Sequence, residues 1–182
     1  MRNYYNKLDE CFESTTKQGS ALEELSELIL RCTRGFYVTR KIRTGTNQLD
    51  CTIRNDYDIK LTVYNELGSI LIAECKNEKQ TPGNTYYYKL EGILERSTGR
   101  DERGVGILFS RDEVASTCRQ VAREFFIRNN IIIVNFYDKD LKEIVEGNNF
   151  LIMLQKKIQT IKVDIRTSPE KHELYKNHKR ND

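Results

Sequence analysis

The stretch "IIIVNFY", residues 131–137, limits the fold more than any other part of the chain. Four aliphatic residues in a row, in a run of strand length, describe a strand buried on both faces, which suits a central or parallel position in a sheet. "VGILFS" at 105–110 has the same character, and "ILIAECK" at 70–76 begins that way before it ends in charges. A sheet built from such strands needs covering layers on both sides, and the intervening sequence has to supply them as helices.

Leu22, Leu25, Leu28, Ile29 and Cys32 fall on one helical face, and Gly35 follows as a stop. "FYVTRKI" and "QLDCTIR" flank the turn-prone "RTGTN", which predicts a β-hairpin. "IKLTVYN" at 59–65 is a further extended run, and "ELGS" turns the chain into "ILIAECK". Residues 86–97 suit a helix. Ser110 stands three residues before Glu113, a capping-box spacing, ahead of the apolar face Val114, Cys118, Val121 and Phe125. "DKDLKEIVEG" and Phe150, Leu151, Leu154, Ile158 and Ile161 close the helical part. The expected architecture is an α/β three-layer sandwich with a mixed central sheet, the strand ending at Lys76 lying near its middle. Residues 1–19 are expected as a flexible or short helical lead-in, 20–165 as one domain and 166–182 as a polar, mobile tail.

At 182 residues one core is the natural prior. No run approaches the roughly 20 apolar residues of a membrane span, and "MRNYYNKLDE" lacks the apolar core of a secretory signal, so a cytoplasmic location without membrane contact is expected. Five scattered cysteines without a C-x-x-C pair argue against a disulfide framework and against structural zinc. The net charge of +3 permits a nucleic-acid partner without requiring one. The two histidines, His172 and His178, both lie in the polar tail, so histidine-based hydrolysis and histidine-ligated zinc lose their central residue. No phosphate-loop or dinucleotide glycine motif occurs. Any catalysis rests on carboxylates, lysine, arginine or a bound metal.

Alternation in a strand puts Glu74 and Lys76 on one face, with Ala73 and Cys75 on the other. A strand fraying into solvent is the plain explanation for such a triplet. Asp50, in the neighbouring "NQLDCTIR", changes the balance, because pairing of the two strands brings the carboxylates of Asp50 and Glu74 together. Two converging carboxylates repel unless a cation lies between them, and oxygen ligands favour a hard ion such as Mg²⁺, with Mn²⁺ as a substitute. A lysine beside that ion can orient the attacking water or stabilise charge on a phosphate.

With "QLDC", "ILIAECKN", "LEELSELILRCTRGFYV", "GILFSRDEVASTCRQVAREFF" and "IIIVNFYDKDLKEI", the chain from Ser20 to Val163 resembles a PD-(D/E)XK restriction-endonuclease-like domain of the Mrr type. The resemblance implies an αβββαβ core and divalent-metal-dependent endonuclease activity on DNA, with a role in restriction or defence against foreign DNA. It implies metal ligation by Asp50, Glu74 and the backbone carbonyl of Cys75, and catalysis by those acids with Lys76. A helix-one glutamate joins the site in many relatives; Glu24 fits best by spacing to Gly35, and Glu27 is the rival. A homodimer, or a separate recognition or activator protein, is the expected partner beside DNA. The chain departs from the family in three ways: a long interval between Asp50 and Glu74, no Q-x-x-x-Y signature, and no winged-helix reader.

Two other readings of the same residues stand beside this one: a non-catalytic nucleic-acid-binding or assembly module, and a structure-specific repair nuclease or junction resolvase. Arg96, Arg100 and Arg103 lie in an acid-containing loop and read either as solvated charge or as phosphate contacts.

Overall fold

The structure, a computed structural model, describes residues 1–10, 15–43, 48–55, 62–78, 80–98 and 102–167. In chain order the elements are α1 (Arg2–Glu10), α2 (Thr15–Arg31), β1 (Phe36–Arg43), β2 (Gln48–Asn55), α3 (Thr62–Leu67), β3 (Ile70–Lys76), α4 (Asn84–Ser97), β4 (Gly104–Ser110), α5 (Ser116–Asn129), β5 (Ile131–Phe136), α6 (Asp138–Val145) and α7 (Phe150–Thr167). The strands form one mixed sheet in the order β1-β2-β3-β4-β5. β1, β2 and β3 pair antiparallel, and β3, β4 and β5 pair parallel. From α2 onward, with α3 as an insertion, the order is the expected αβββαβ, and β3 is the central strand.

Alternation along the strands divides the core into two layers. Leu71, Ala73 and Cys75 of β3, with Val105, Ile107 and Phe109 of β4 and Ile132, Val134 and Phe136 of β5, face α1, α2, α3, α6 and α7. Ile72, Leu108, Ile131 and Ile133 face α4 and α5. Both faces of β4 and β5 are therefore covered, the condition set by their unbroken apolar runs. Each fully buried leucine in these layers, such as Leu90 or Leu94 of α4, contributes about 1.5–3 kcal/mol. Gly106 lets α4 come close to the sheet: a Cβ there would lie 3.3 Å from side-chain carbons of Leu94 and Ile133.

Several local expectations are corrected. The described part of "IKLTVYN" is not extended; from Thr62 it is helix α3, since Val63, Tyr64 and Leu67 share a buried helical face. The Asn55 amide donates to the Tyr64 and Gly68 carbonyls and holds that helix end. Ser110 does not cap α5: it ends β4, donates to the Asp112 carbonyl, and leaves Ala115 as the N-cap. Leu49 and Cys51, which strict alternation along β2 would put on one face, join different layers. The β2–β3 pairing ends at Cys51 and Ala73, and from there to Gln48 β2 is paired on one side only, with β1. Arg2–Glu10 is helical and buries Leu8 in the larger core layer. The turn 44–47, Cys11, Arg100 and the segment 168–182 with both histidines lie outside the described residues.

Gly68, between α3 and β3, has φ +71°, and a Cβ there would meet the Arg103 carbonyl oxygen at 2.2 Å. Arg103 itself donates to the Glu66 carbonyl and to Asn130 Oδ1. It thus fastens the N-terminal end of β4, roughly 20 Å along the strand from Ser110. Among the described residues no helix is long and apolar enough to cross a membrane.

Candidate active site

Asp50, Glu74 and Lys76 come together where β2 and β3 meet at the C-terminal end of β3. Asp50 lies one step past the last β2–β3 pair, Cys51 opposite Ala73, and its Oδ2 accepts a hydrogen bond of 2.8 Å from the Cys75 N–H. The backbone of β3 thus fixes the Asp50 carboxylate beside Glu74. Glu74 is 3% exposed. Its Oε1 lies 3.4 Å from Lys76 Nζ and 2.6 Å from Lys89 Nζ. Its Oε2 is buried and has no hydrogen-bond partner among the described residues.

Crowding of negative charge shows in the titration of Asp50. Burial first, then the charge of Glu74, raises its pKa from the ordinary 3.8 to about 6; the Cys75 N–H pulls it down and Glu23 pushes it up further. Burial works against the Lys76 ammonium, yet Glu74, Tyr86 and Asp50 outweigh it and raise its pKa. Lys76 is therefore a fixed cation at neutral pH and not a proton acceptor. Its ammonium sits 4.9 Å from the centre of the Tyr86 ring, whose hydroxyl donates to Glu78 at 2.9 Å and 3.0 Å. Burial, followed by the charge of Asp50, pushes the Cys75 thiol well up, and Ser26 Oγ lies 2.9 Å from its sulfur. A neutral thiol held in the core is no nucleophile.

The acid of α2 whose charge acts on Asp50 is Glu23. Glu24, half-buried, follows it at about 100° around the helix. Glu27 Oε1 accepts from Arg31 at 2.7 Å. The sequence held a clue to Glu23: Ser26, a small polar residue in the apolar face, marks where α2 touches Cys75, and Glu23 lies one turn earlier. Lys89 was also missed, because nothing local says which face of α4 lies over Glu74. Arg103 is a clamp at the opposite end of β4, which removes it from the phosphate contacts considered above.

Among the described residues no group of three or more Asp, Glu, His or Cys side chains is gathered closely enough to hold a metal ion by itself. Magnesium keeps several of its waters and takes only one or two carboxylates, so the donor set of Asp50, Glu74 and the Cys75 carbonyl fits it. The buried Glu74 Oε2, without a hydrogen-bond partner among the described residues, and the raised pKa of Asp50 suit a divalent cation between the two carboxylates. The same set, with no histidine and an inert thiol, does not fit zinc.

Fold and site together define an α/β domain with a mixed five-stranded sheet that carries Asp…Glu-x-Lys across two adjacent strands. No family model and no curated protein matches the chain. Among solved structures it is similar to a repair endonuclease from Pyrococcus abyssi, with a TM-score of 0.42 and 11% identity, over 70% of this chain and 49% of that one. The chain thus aligns with about half of that endonuclease, and a likeness of this size speaks for no residue and no reaction.

Proposed function

We propose that the chain is a divalent-metal-dependent endonuclease that hydrolyses phosphodiester bonds in DNA. The observation that carries this reading is the convergence of Asp50 and Glu74 beside a lysine held as a cation. Asp50, Glu74 and the carbonyl of Cys75 would hold Mg²⁺, for which Mn²⁺ substitutes. When bound, the ion supplies Lewis-acid charge that polarises the scissile phosphate and eases deprotonation of the attacking water. Lys76, fixed against the Tyr86 ring, orients that water and offsets the charge that builds on the phosphate. Glu23 takes the place in this scheme that spacing gave to Glu24, since its charge reaches Asp50. Lys89 holds Glu74 in position from α4. The role in restriction or defence rests on the sequence resemblance alone.

The test is Lys76→Ala, assayed on duplex DNA with Mg²⁺ beside a thermal melt. Loss of cleavage with the fold retained is expected. Cleavage at the wild-type rate would show that Lys76 does not serve the reaction.

A further inference from the structure

A second feature lies at the same end of the sheet, where β3 and β5 reach their C-terminal residues. Between α5 and α7, over β5, is a cleft of about 280 Å³, near the lower end of ligand-pocket sizes. Val114, Ala122, Ile133 and Ile161 give it apolar walls. Arg119 and Arg123, one turn apart on α5, and Lys157 of α7 line it as well, against the single carboxylate of Glu113. Glu113 pairs with Arg119 at 2.7 Å, and Lys157 pairs with Asp140 at 2.9 Å, so these two cations are held in place at the cleft. Lys157 is also flanked by the rings of Phe136 and Tyr137, at 5.0 and 5.7 Å.

Tyr87 also lines the cleft. It is 3% exposed, and no hydrogen bond to its hydroxyl is found among the described residues. The positive charge of Arg119 acts on that hydroxyl. A hydroxyl that opens on the cleft without a protein partner can donate to, or accept from, a polar group that enters. A ligand with an apolar planar part, hydrogen-bonding edges and an anionic part matches apolar walls, an open hydroxyl and an arginine pair.

The cleft adjoins the candidate active site. Lys76 stands opposite Ser110 in the β3–β4 register, and Ser110 Oγ accepts from Asn135 Nδ2 at 2.7 Å. Asn135 lines the cleft. Two strand spacings separate β3 from β5, roughly 10 Å. On α4, Tyr86 supports Lys76 while its neighbour Tyr87 faces the cleft.

We infer that this cleft binds a nucleotide, its base against the apolar walls and the Tyr87 hydroxyl, its phosphate against Arg119 and Arg123. In the strand being cut, this is an unstacked nucleotide close to the scissile phosphate, an identification that rests on the proposed nuclease function. Taking a base out of the stack costs a few kcal/mol, least where the base is unpaired, so the cleft favours substrates with unpaired nucleotides.

The test is equilibrium binding in EDTA, where no cleavage occurs, so that failure of the nuclease reading and failure of this one are separable. The probes are a fluorescent short single-stranded DNA, free 5′-dAMP and inorganic phosphate, with the whole chain as wild type, Tyr87→Phe and Arg123→Gln. Tyr87→Phe removes only a hydroxyl that has no hydrogen-bond partner among the described residues, so its melting temperature stays close to that of wild type. Its affinity for the single strand falls about fivefold, and that of Arg123→Gln about tenfold. Loss in both variants with the strand preferred to dAMP supports a strand subsite; the same losses with dAMP bound as tightly support a site for free nucleotide. Affinity unchanged in both variants, or inorganic phosphate bound as well as either nucleotide probe, overturns the inference.

Discussion

Lys89 Nζ lies 2.6 Å from Glu74 Oε1, closer than Lys76 Nζ at 3.4 Å, so the ammonium nearest the buried acid comes from α4 and not from the Glu-x-Lys triplet. In EDTA, Lys89→Met leaves the Glu74 carboxylate with a weaker counter-charge. Breaking a fully buried pair costs about 3–5 kcal/mol; because the lysine is partly exposed, a loss of about 2 kcal/mol is expected in urea denaturation. Added Mg²⁺ recovers part of that loss by supplying the missing charge. Stability equal to wild type in EDTA would show that the contact contributes nothing.

The Asp50 carboxyl binds its proton more tightly in the folded protein than in the unfolded chain. The corresponding stability is fully present below about pH 4 and is lost as pH rises through about 6, the folded pKa. Asp50→Asn carries no such charge. In EDTA it is therefore more stable than wild type at pH 7–8, and the difference closes by about pH 4. Melting curves of both proteins across that range check the direction. A wild type that gains stability relative to Asp50→Asn as pH rises would contradict the crowding of acids around Asp50.

Tyr86 gives Lys76 an aromatic face and anchors itself on Glu78. Tyr86→Phe keeps the ring and is expected to cleave close to the wild-type rate. Tyr86→Ala removes it and lowers the single-turnover rate about tenfold, from a ring–cation contact worth about 0.5–2 kcal/mol. Equal rates for the two variants would remove Tyr86 from the positioning of Lys76.

Gly68→Ala tests the fold away from the site. A side chain there must adopt a left-handed backbone and displace the Arg103 carbonyl oxygen, which lies 2.2 Å from the ideal Cβ position. A loss of about 2 kcal/mol or more is expected in urea denaturation, from backbone strain of about 1–3 kcal/mol together with that clash. An unchanged midpoint would mean that the α3–β3 turn has room to rearrange.

Much of the fold was legible because its strands announce their burial. "IIIV" and "VGILF" are apolar on both faces and became the parallel pair β4–β5, and the hairpin and central β3 followed from alternation and turn residues. Asp50, Glu74 and Lys76 were readable for the same reason: strand pairing turns sequence position into proximity. Helices gave less. Glu23, Glu24 and Glu27 differ only in rotation about α2, and which of them reaches Asp50 depends on how Ser26 seats against Cys75, a tertiary contact. Lys89 depended on α4 lying close to β4, which Gly106 permits and no local pattern reveals. Thr62–Leu67 misled because β-branched residues suggest a strand, while burial of Tyr64 and Leu67 selected a helix.

The most direct measurement incubates supercoiled plasmid with the purified protein, wild type beside Asp50→Ala, in Mg²⁺, Mn²⁺ or EDTA. Nicking or linearisation by wild type that requires the divalent ion, and that Asp50→Ala has lost, is the expected result. Cleavage that persists in EDTA or in Asp50→Ala would contradict a metal-dependent site at Asp50 and Glu74, as would a wild type that leaves the plasmid intact with both metals.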